Sequence, residues 1–130
     1  MAATYLDSSA IVKLVIAEAE SAALRRHLRR RRPLVSSALA RTEVLRALLA
    51  EGDEGLTRGL AVLASIDLIR ISDRVLDDAA RLLPPEVRSL DAIHLATAQQ
   101  LSGELGQIVS YDDRMLQAAA RLGMRTACPV

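Results

Sequence analysis

The stretch ATYLDSSAIVKLVIAEAE, residues 3–20, sets an apolar run, an acid and two hydroxyls ahead of a second apolar run. Ala3–Asp7 is short and apolar up to its terminal acid, and it reads as a buried strand. From Ser8 onward the apolar residues fall at helical spacing, and Ser8 or Ser9 is placed to cap a helix running through residue 20. A buried strand leading directly into a helix is the first half of a βαβ unit, which implies parallel pairing.

The same alternation continues along the chain. A helix over residues 21–31 stops before Pro33, Pro33–Ser37 is a second strand, and Ala38–Glu51 is a helix ended by Gly52. A helix over Glu54–Ser65 precedes the strand Asp67–Ile71; Ser72 then caps DRVLDDAARLL, which Pro84 and Pro85 terminate. SLDAIHLATA, residues 89–98, opens a helix apolar on nearly every side, with Ser89 as its N-cap. Gly106–Asp112 is a strand, residues 113–123 an amphipathic helix with Gly123 at its end, and residues 124–130 a last short strand. The pattern predicts one α/β domain over residues 1–130. Its three α/β/α layers enclose a mostly parallel sheet of four to five short strands, with helices on both faces.

Composition narrows the classes of function. Hydrophobic residues make up 51% and aromatics only 2%, so the core is aliphatic and disorder is excluded. Tyr5 and Tyr111 are the only flat rings among Phe, Trp and Tyr, which argues against binding nucleic acid by base stacking. Net charge is +1, and among 17 cationic residues Lys13 is the one lysine. A single cysteine, Cys128, excludes a disulfide framework or a cysteine metal cluster within the chain. The apolar run after Asp7 is short and broken by Lys13, and no uncharged stretch approaches the roughly 18 residues of a membrane span. A soluble cytoplasmic protein is expected.

In open parallel sheets, ligands bind beyond the carboxyl ends of the strands. Asp7 ends the first strand and Asp112 ends IVSYD; Asp91 lies in the first turn of its helix. Glu43 lies in the second turn of the helix after PLVSS, its side chain directed back toward the helix start. Singly, each has a structural reading, as a helix cap or a solvated charge. Together, one sheet edge accounts for all four. Four close carboxylates repel unless a cation compensates them, and all-oxygen ligation suits Mg²⁺ or Mn²⁺. Metal-assisted phosphodiester hydrolysis is the chemistry that follows.

YLDSSAIVKL, SLDAIHLATA and IVSYDDRML, with the glutamate of ARTEVLRAL, occur in the order and approximate spacing of the PIN-domain nucleases. The chain resembles that family over essentially its whole length, and most of all the VapC toxins of bacterial toxin–antitoxin pairs. The resemblance implies a PIN-like fold, Mg²⁺- or Mn²⁺-dependent RNA cleavage leaving a 5′-phosphate and a 3′-hydroxyl, inhibition by a cognate antitoxin, and a homodimer. It also implies that Asp7, Glu43, Asp91 and Asp112 are the family's four acids, with Ser110 in the hydroxyl position two residues before Asp112.

Other polar residues keep two readings each. Ser9 either holds a phosphate or metal-bound water at the helix start or simply caps it. Ser110 either orients Asp112 or satisfies the strand end, and Asp113 is a helix-start charge or an outer ligand. His94, three residues after Asp91, reads as a hydrogen-bonded, semi-buried support rather than a ligand. The run RRHLRRRR, Arg25 to Arg32, offers Arg25, Arg26, Arg29 and Arg30 for RNA phosphates, against a solvated face or an acidic partner. Two competing functions stay in view: a non-catalytic α/β binding module, and a PIN-fold DNA nuclease.

Overall fold

Five short strands form one sheet: β1 (Ala3–Leu6), β2 (Leu34–Ser37), β3 (Asp67–Ile69), β4 (Leu105–Val109) and β5 (Thr126–Ala127). All pairings are parallel, in the order β3-β2-β1-β4-β5. Seven α-helices connect and cover them: α1 (Ser8–Val15), α2 (Ser21–Leu28), α3 (Leu39–Ala47), α4 (Gly52–Ala64), α5 (Asp73–Ala80), α6 (Ser89–Gln99) and α7 (Asp113–Arg121). The structure, a computed structural model, describes residues 2–130. The three-layer α/β/α arrangement and the parallel sheet are as the sequence predicts.

β1 and β2 are buried throughout, the edge strands β3 and β5 only in part, and alternation along the central strands feeds two separate clusters. Leu6, Leu34 and Val109 face α1 to α4, packing with Ile11, Leu24, Val44 and Leu63. Tyr5, Val35 and Ile108 face the opposite way, packing with Leu95 and Ala98 of α6 and Met115 and Ala119 of α7. β1 lies at the centre with β2 on one side and β4 on the other. The chain therefore reverses its direction of growth across β1, and the crevice this leaves at the carboxyl ends of β1 and β4 is where such sheets bind ligands.

Several boundaries differ from the sequence reading. The first helix stops at Val15 and not near residue 20, because the Ser21 hydroxyl bonds the Lys13 and Ile16 carbonyls and takes the Glu18 amide. Its cap is Asp7, not Ser8 or Ser9: the Asp7 carboxylate accepts the Ala10 amide at 3.0 Å. The helix after β2 ends at Ala47, and a 3-10 turn (Leu49–Glu51) leads to Gly52, whose φ of +68° lets α4 start two residues early. Arg88, and not Ser89, is the N-cap of α6, with no side-chain bond to the helix. β4 ends at Val109, so Asp112 stands three residues past the strand and caps α7 instead.

Leu95 is fully buried in the α6–α7 cluster whereas Leu90, five residues earlier on another face of the helix, is 49% exposed. Leu95→Ala should cost about 2–5 kcal/mol of stability, and Leu90→Gln should fall within about ±0.5 kcal/mol. Urea denaturation of the two variants checks the contrast.

Candidate active site

Asp7 is the best-anchored of the four acids. It is 4% exposed, and burial drives its pKa upward. Bonds from Ser110 Oγ to Oδ2 (2.5 Å), from Ser9 Oγ to Oδ1 (2.6 Å) and from the Ala10 amide oppose that rise. Ser9 also receives the Tyr111 amide at 2.9 Å, so its hydroxyl belongs to this network. Ser110 receives the Asp112 amide at 3.0 Å. Ser110 thus orients the Asp7 carboxylate and the Asp112 backbone, not the Asp112 carboxylate.

Glu43 is held from two directions. Ser8 Oγ donates to Oε1 at 2.6 Å, and His94 Nε2 meets the same oxygen at 2.6 Å. Among the described residues Oε2 takes no hydrogen bond from the protein, so this oxygen is available to a ligand. Burial raises the Glu43 pKa, but the His94 and Ser8 bonds and the His94 charge outweigh it and leave the carboxyl below its usual range. An ionised carboxylate only accepts, so Nε2 carries a proton. Nδ1 meets the Tyr5 hydroxyl at 2.7 Å, and burial pushes the pKa of that phenol well above the usual tyrosine value. His94 is 2% exposed, more deeply buried than its sequence suggests, and its partners are Tyr5 and Glu43 rather than Asp91.

Asp91 and Asp112 complete the edge from its open side. Asp91 is half-buried in the first turn of α6 and has no hydrogen bond or ion pair among the described residues. Burial raises its pKa, and the charges of Asp112, Asp7 and Glu43 raise it further against the opposing influence of His94. Asp112 is exposed, its Oδ1 accepting the Arg114 amide at 2.9 Å, and Asp113 beside it is exposed as well. Asp91, Asp112 and Asp113 border a shallow depression of about 510 Å³. The four acids thus share one edge, but no three carboxylates or imidazoles among the described residues form a ready cage for one ion. Mg²⁺ keeps several waters and takes only one or two protein carboxylates, so this open, all-oxygen set with an uncompensated Asp91 fits such an ion.

The exposed arginines at positions 25, 26, 29 and 30 sit elsewhere. Arg29 to Arg32 lead into the first residue of β2, at the amino edge of the sheet, whereas the acids stand at the carboxyl edge. A different set flanks Asp91: Arg88, Arg114 and Arg121 line an adjoining cleft of about 640 Å³. Sequence reading missed these three, although Arg114 and Arg121 stand seven residues apart on one face of a helix.

Comparison with known proteins gives the family and the fold. The PIN domain family model matches residues 4–121. The chain belongs to the PIN-domain family, in its VapC branch. Ribonuclease VapC46 of Mycobacterium tuberculosis is 60% identical over 129 residues, covering 99% of both chains. Ribonuclease VapC35 of the same species is 42% identical, covering 96% of each. Among solved structures, a toxin–antitoxin complex from Klebsiella pneumoniae superposes with a TM-score of 0.76 at 20% identity, covering 98% of both chains. Mycobacterium tuberculosis VapC20, described as a toxin that cleaves the sarcin–ricin loop, gives 0.75 at 16% identity over 98% of this chain and 100% of its own. These two show that the PIN domain here has the fold of its distant relatives.

The raised pKa of Asp91 carries a definite sign. Its neutral form is favoured by folding, so the unfavourable contribution is absent below the ordinary aspartate value of 3.8 and complete above the raised folded value. At pH 7 without divalent cations, Asp91→Asn should therefore melt at a higher temperature than the wild type, and the gap should close as pH falls toward that ordinary value. Thermal melts in EDTA across this range check it. His94→Leu removes partners from the Tyr5 hydroxyl and Glu43, at roughly 1–3 kcal/mol for each group left unsatisfied. His94→Gln, which keeps a donor near Nε2, should recover part of that loss in chemical denaturation.

Proposed function

We propose that this PIN domain, acting as one unit over residues 1–130, is a Mg²⁺- or Mn²⁺-dependent endoribonuclease. It is the toxin of a toxin–antitoxin pair and works in the cytoplasm. The observation that supports the reading is a buried, triply hydrogen-bonded Asp7 on the same sheet edge as Glu43, Asp91 and Asp112. The 60% identity to a protein named as a ribonuclease supports the same conclusion. Asp7, Asp91, Asp112 and Oε2 of Glu43 would hold the hydrated cation, one or two of them directly and the others through its waters. Bound there, a hard divalent cation supplies an activated water and a clamp on the scissile phosphate.

The chain's own residues prepare that edge. Ser9 and Ser110 fix the Asp7 carboxylate, and Ser8 and His94 fix Glu43 through a single oxygen, so neither acid has to reorganise when substrate arrives. Asp91, which has neither an ion pair nor a hydrogen bond among the described residues, is the acid with most to gain from a ligand ion. Cleavage of the P–O3′ bond by water, as the family resemblance implies, would leave a 5′-phosphate and a 3′-hydroxyl.

An antitoxin and a second copy of the chain are the proposed protein partners. A solved neighbour is a toxin–antitoxin complex. Leu56 and Leu60, one turn apart on α4, are 40% and 51% exposed, and Leu76 and Leu83, on and just past α5, are 45% and 68% exposed. Apolar side chains left open in this way suit partner contact. Among the described residues no helix is long and apolar enough to cross a membrane.

Purified protein should cleave single-stranded RNA when Mn²⁺ or Mg²⁺ is supplied. Asp7→Asn and Asp91→Asn should each lower the rate by about 10²-fold or more, the scale of removing one preorganised electrostatic group. End-labelled RNA on denaturing gels, with and without EDTA, measures this. Full activity in EDTA, or in both folded variants, overturns the assignment, and cleavage of DNA alone returns the DNA-nuclease reading.

A further inference from the structure

The cleft beside Asp91 gathers three arginines, two of them where local physics disfavours a cation. Arg88 is the N-cap of α6 and Arg114 the second residue of α7, both at the positive end of a helix dipole, which repels a cation. Neither they nor Arg121 make an ion pair among the described residues. All three nevertheless line one cavity of about 640 Å³, with Asp91 in its wall.

The α7 wall of this cavity is a straight stripe. Gln117, Ala118 and Arg121 stand three, four and seven residues after Arg114, the spacing of a single helix face. From Arg114 to Arg121 the stripe runs about 10 Å at 1.5 Å per residue. Ala118, 6% exposed, keeps its middle low. No aromatic ring lines the cleft. Tyr5 is fully buried, and the Tyr111 hydroxyl is bound to the Pro129 carbonyl.

We infer that Arg88, Arg114 and Arg121 form a phosphate track that holds the backbone of single-stranded RNA as it leads to the carboxylate edge. This rests on the nuclease reading for the identity of the strand. Arginines without stacking rings read phosphates rather than bases, so affinity is set by charge and is nearly indifferent to sequence. Between stacked nucleotides in one strand the phosphates rise about 3.4 Å, so a stripe of this length meets more than one.

The test is fluorescence-anisotropy binding of labelled 12-mers of uridine and of adenosine in EDTA, across a KCl series. Wild type should bind both with similar affinity and a log–log salt slope of about −2, and Arg114→Gln and Arg121→Gln should each reduce its magnitude by about 0.7. Arg58→Gln, on α4 in the other layer, should leave it unchanged. With Mn²⁺ present, the two track variants should raise KM for cleavage and largely keep kcat. Unchanged slopes and KM in both, or a slope change confined to Arg29→Gln and Arg30→Gln, overturn the track. Equal competition by a poly-glutamate peptide also overturns it, in favour of an acidic protein segment. Wild type that binds with the predicted arginine dependence but fails to cleave in Mn²⁺ upholds the track and removes the nuclease reading.

Discussion

A buried carboxylate cannot be left alone, and the arrangement of this molecule follows from how Asp7 is satisfied. With 4% of its surface exposed, Asp7 needs donors for both oxygens. They come from three places: Ser9 and the Ala10 amide at the start of α1, and Ser110 just past β4. The bonds therefore bind the end of β1 to the end of β4, the two strands across which the sheet order reverses. Ser110 in turn receives the Asp112 amide, so the position of a second acid depends on the first.

The second tie joins the helical layers. Over most of the molecule the sheet keeps α3 and α6 apart, with their apolar faces in different clusters. Beyond the carboxyl edge nothing separates them, and there Glu43 of α3 meets His94 of α6, with Ser8 on one side and Tyr5 behind. A pair of this kind adds little net stability when desolvation is counted, but removing one partner is costly. Its effect is on arrangement: one oxygen of Glu43 is occupied and the other left open. Asp91, three residues before His94 on the same helix, is positioned by the same contact.

Much of this was legible in the chain because its punctuation is strong. Pro33, Gly52 and the Pro84–Pro85 pair cut the apolar runs into strand-sized and helix-sized pieces, and Asp7, Asp91 and Asp112 stand where a strand-like run ends or a helix begins. Hydrogen-bond partners were not legible. Tyr5 and His94 are 89 residues apart, and only the fold decides that they meet. Which serine caps α1 was also undecidable from local preference, since Asp7, Ser8 and Ser9 all qualify. The end of α1 was misread because Ser21, not a Gly or Pro, stops the helix. The cleft arginines were missed for a different reason: the dense Arg25–Arg32 run draws attention, whereas a sparse stripe on α7 matters only once Asp91 is seen beside it.

Where local rules are broken is itself informative. Most of the chain obeys them: aliphatic residues fill the two clusters, Ser72 caps α5, and Lys13 is paired with Glu18 and Glu20. The exceptions gather at one edge. Asp91 is half-buried among other acids, and two arginines occupy helix starts that favour anions. A fold selected for stability alone would remove each conflict with one substitution, such as a serine in place of Arg88. On the proposed function each conflict would be relieved by a ligand, a cation for the acids and an anion for the arginines. A metal-bound phosphodiester would supply both at once, which accounts for opposite local costs standing side by side.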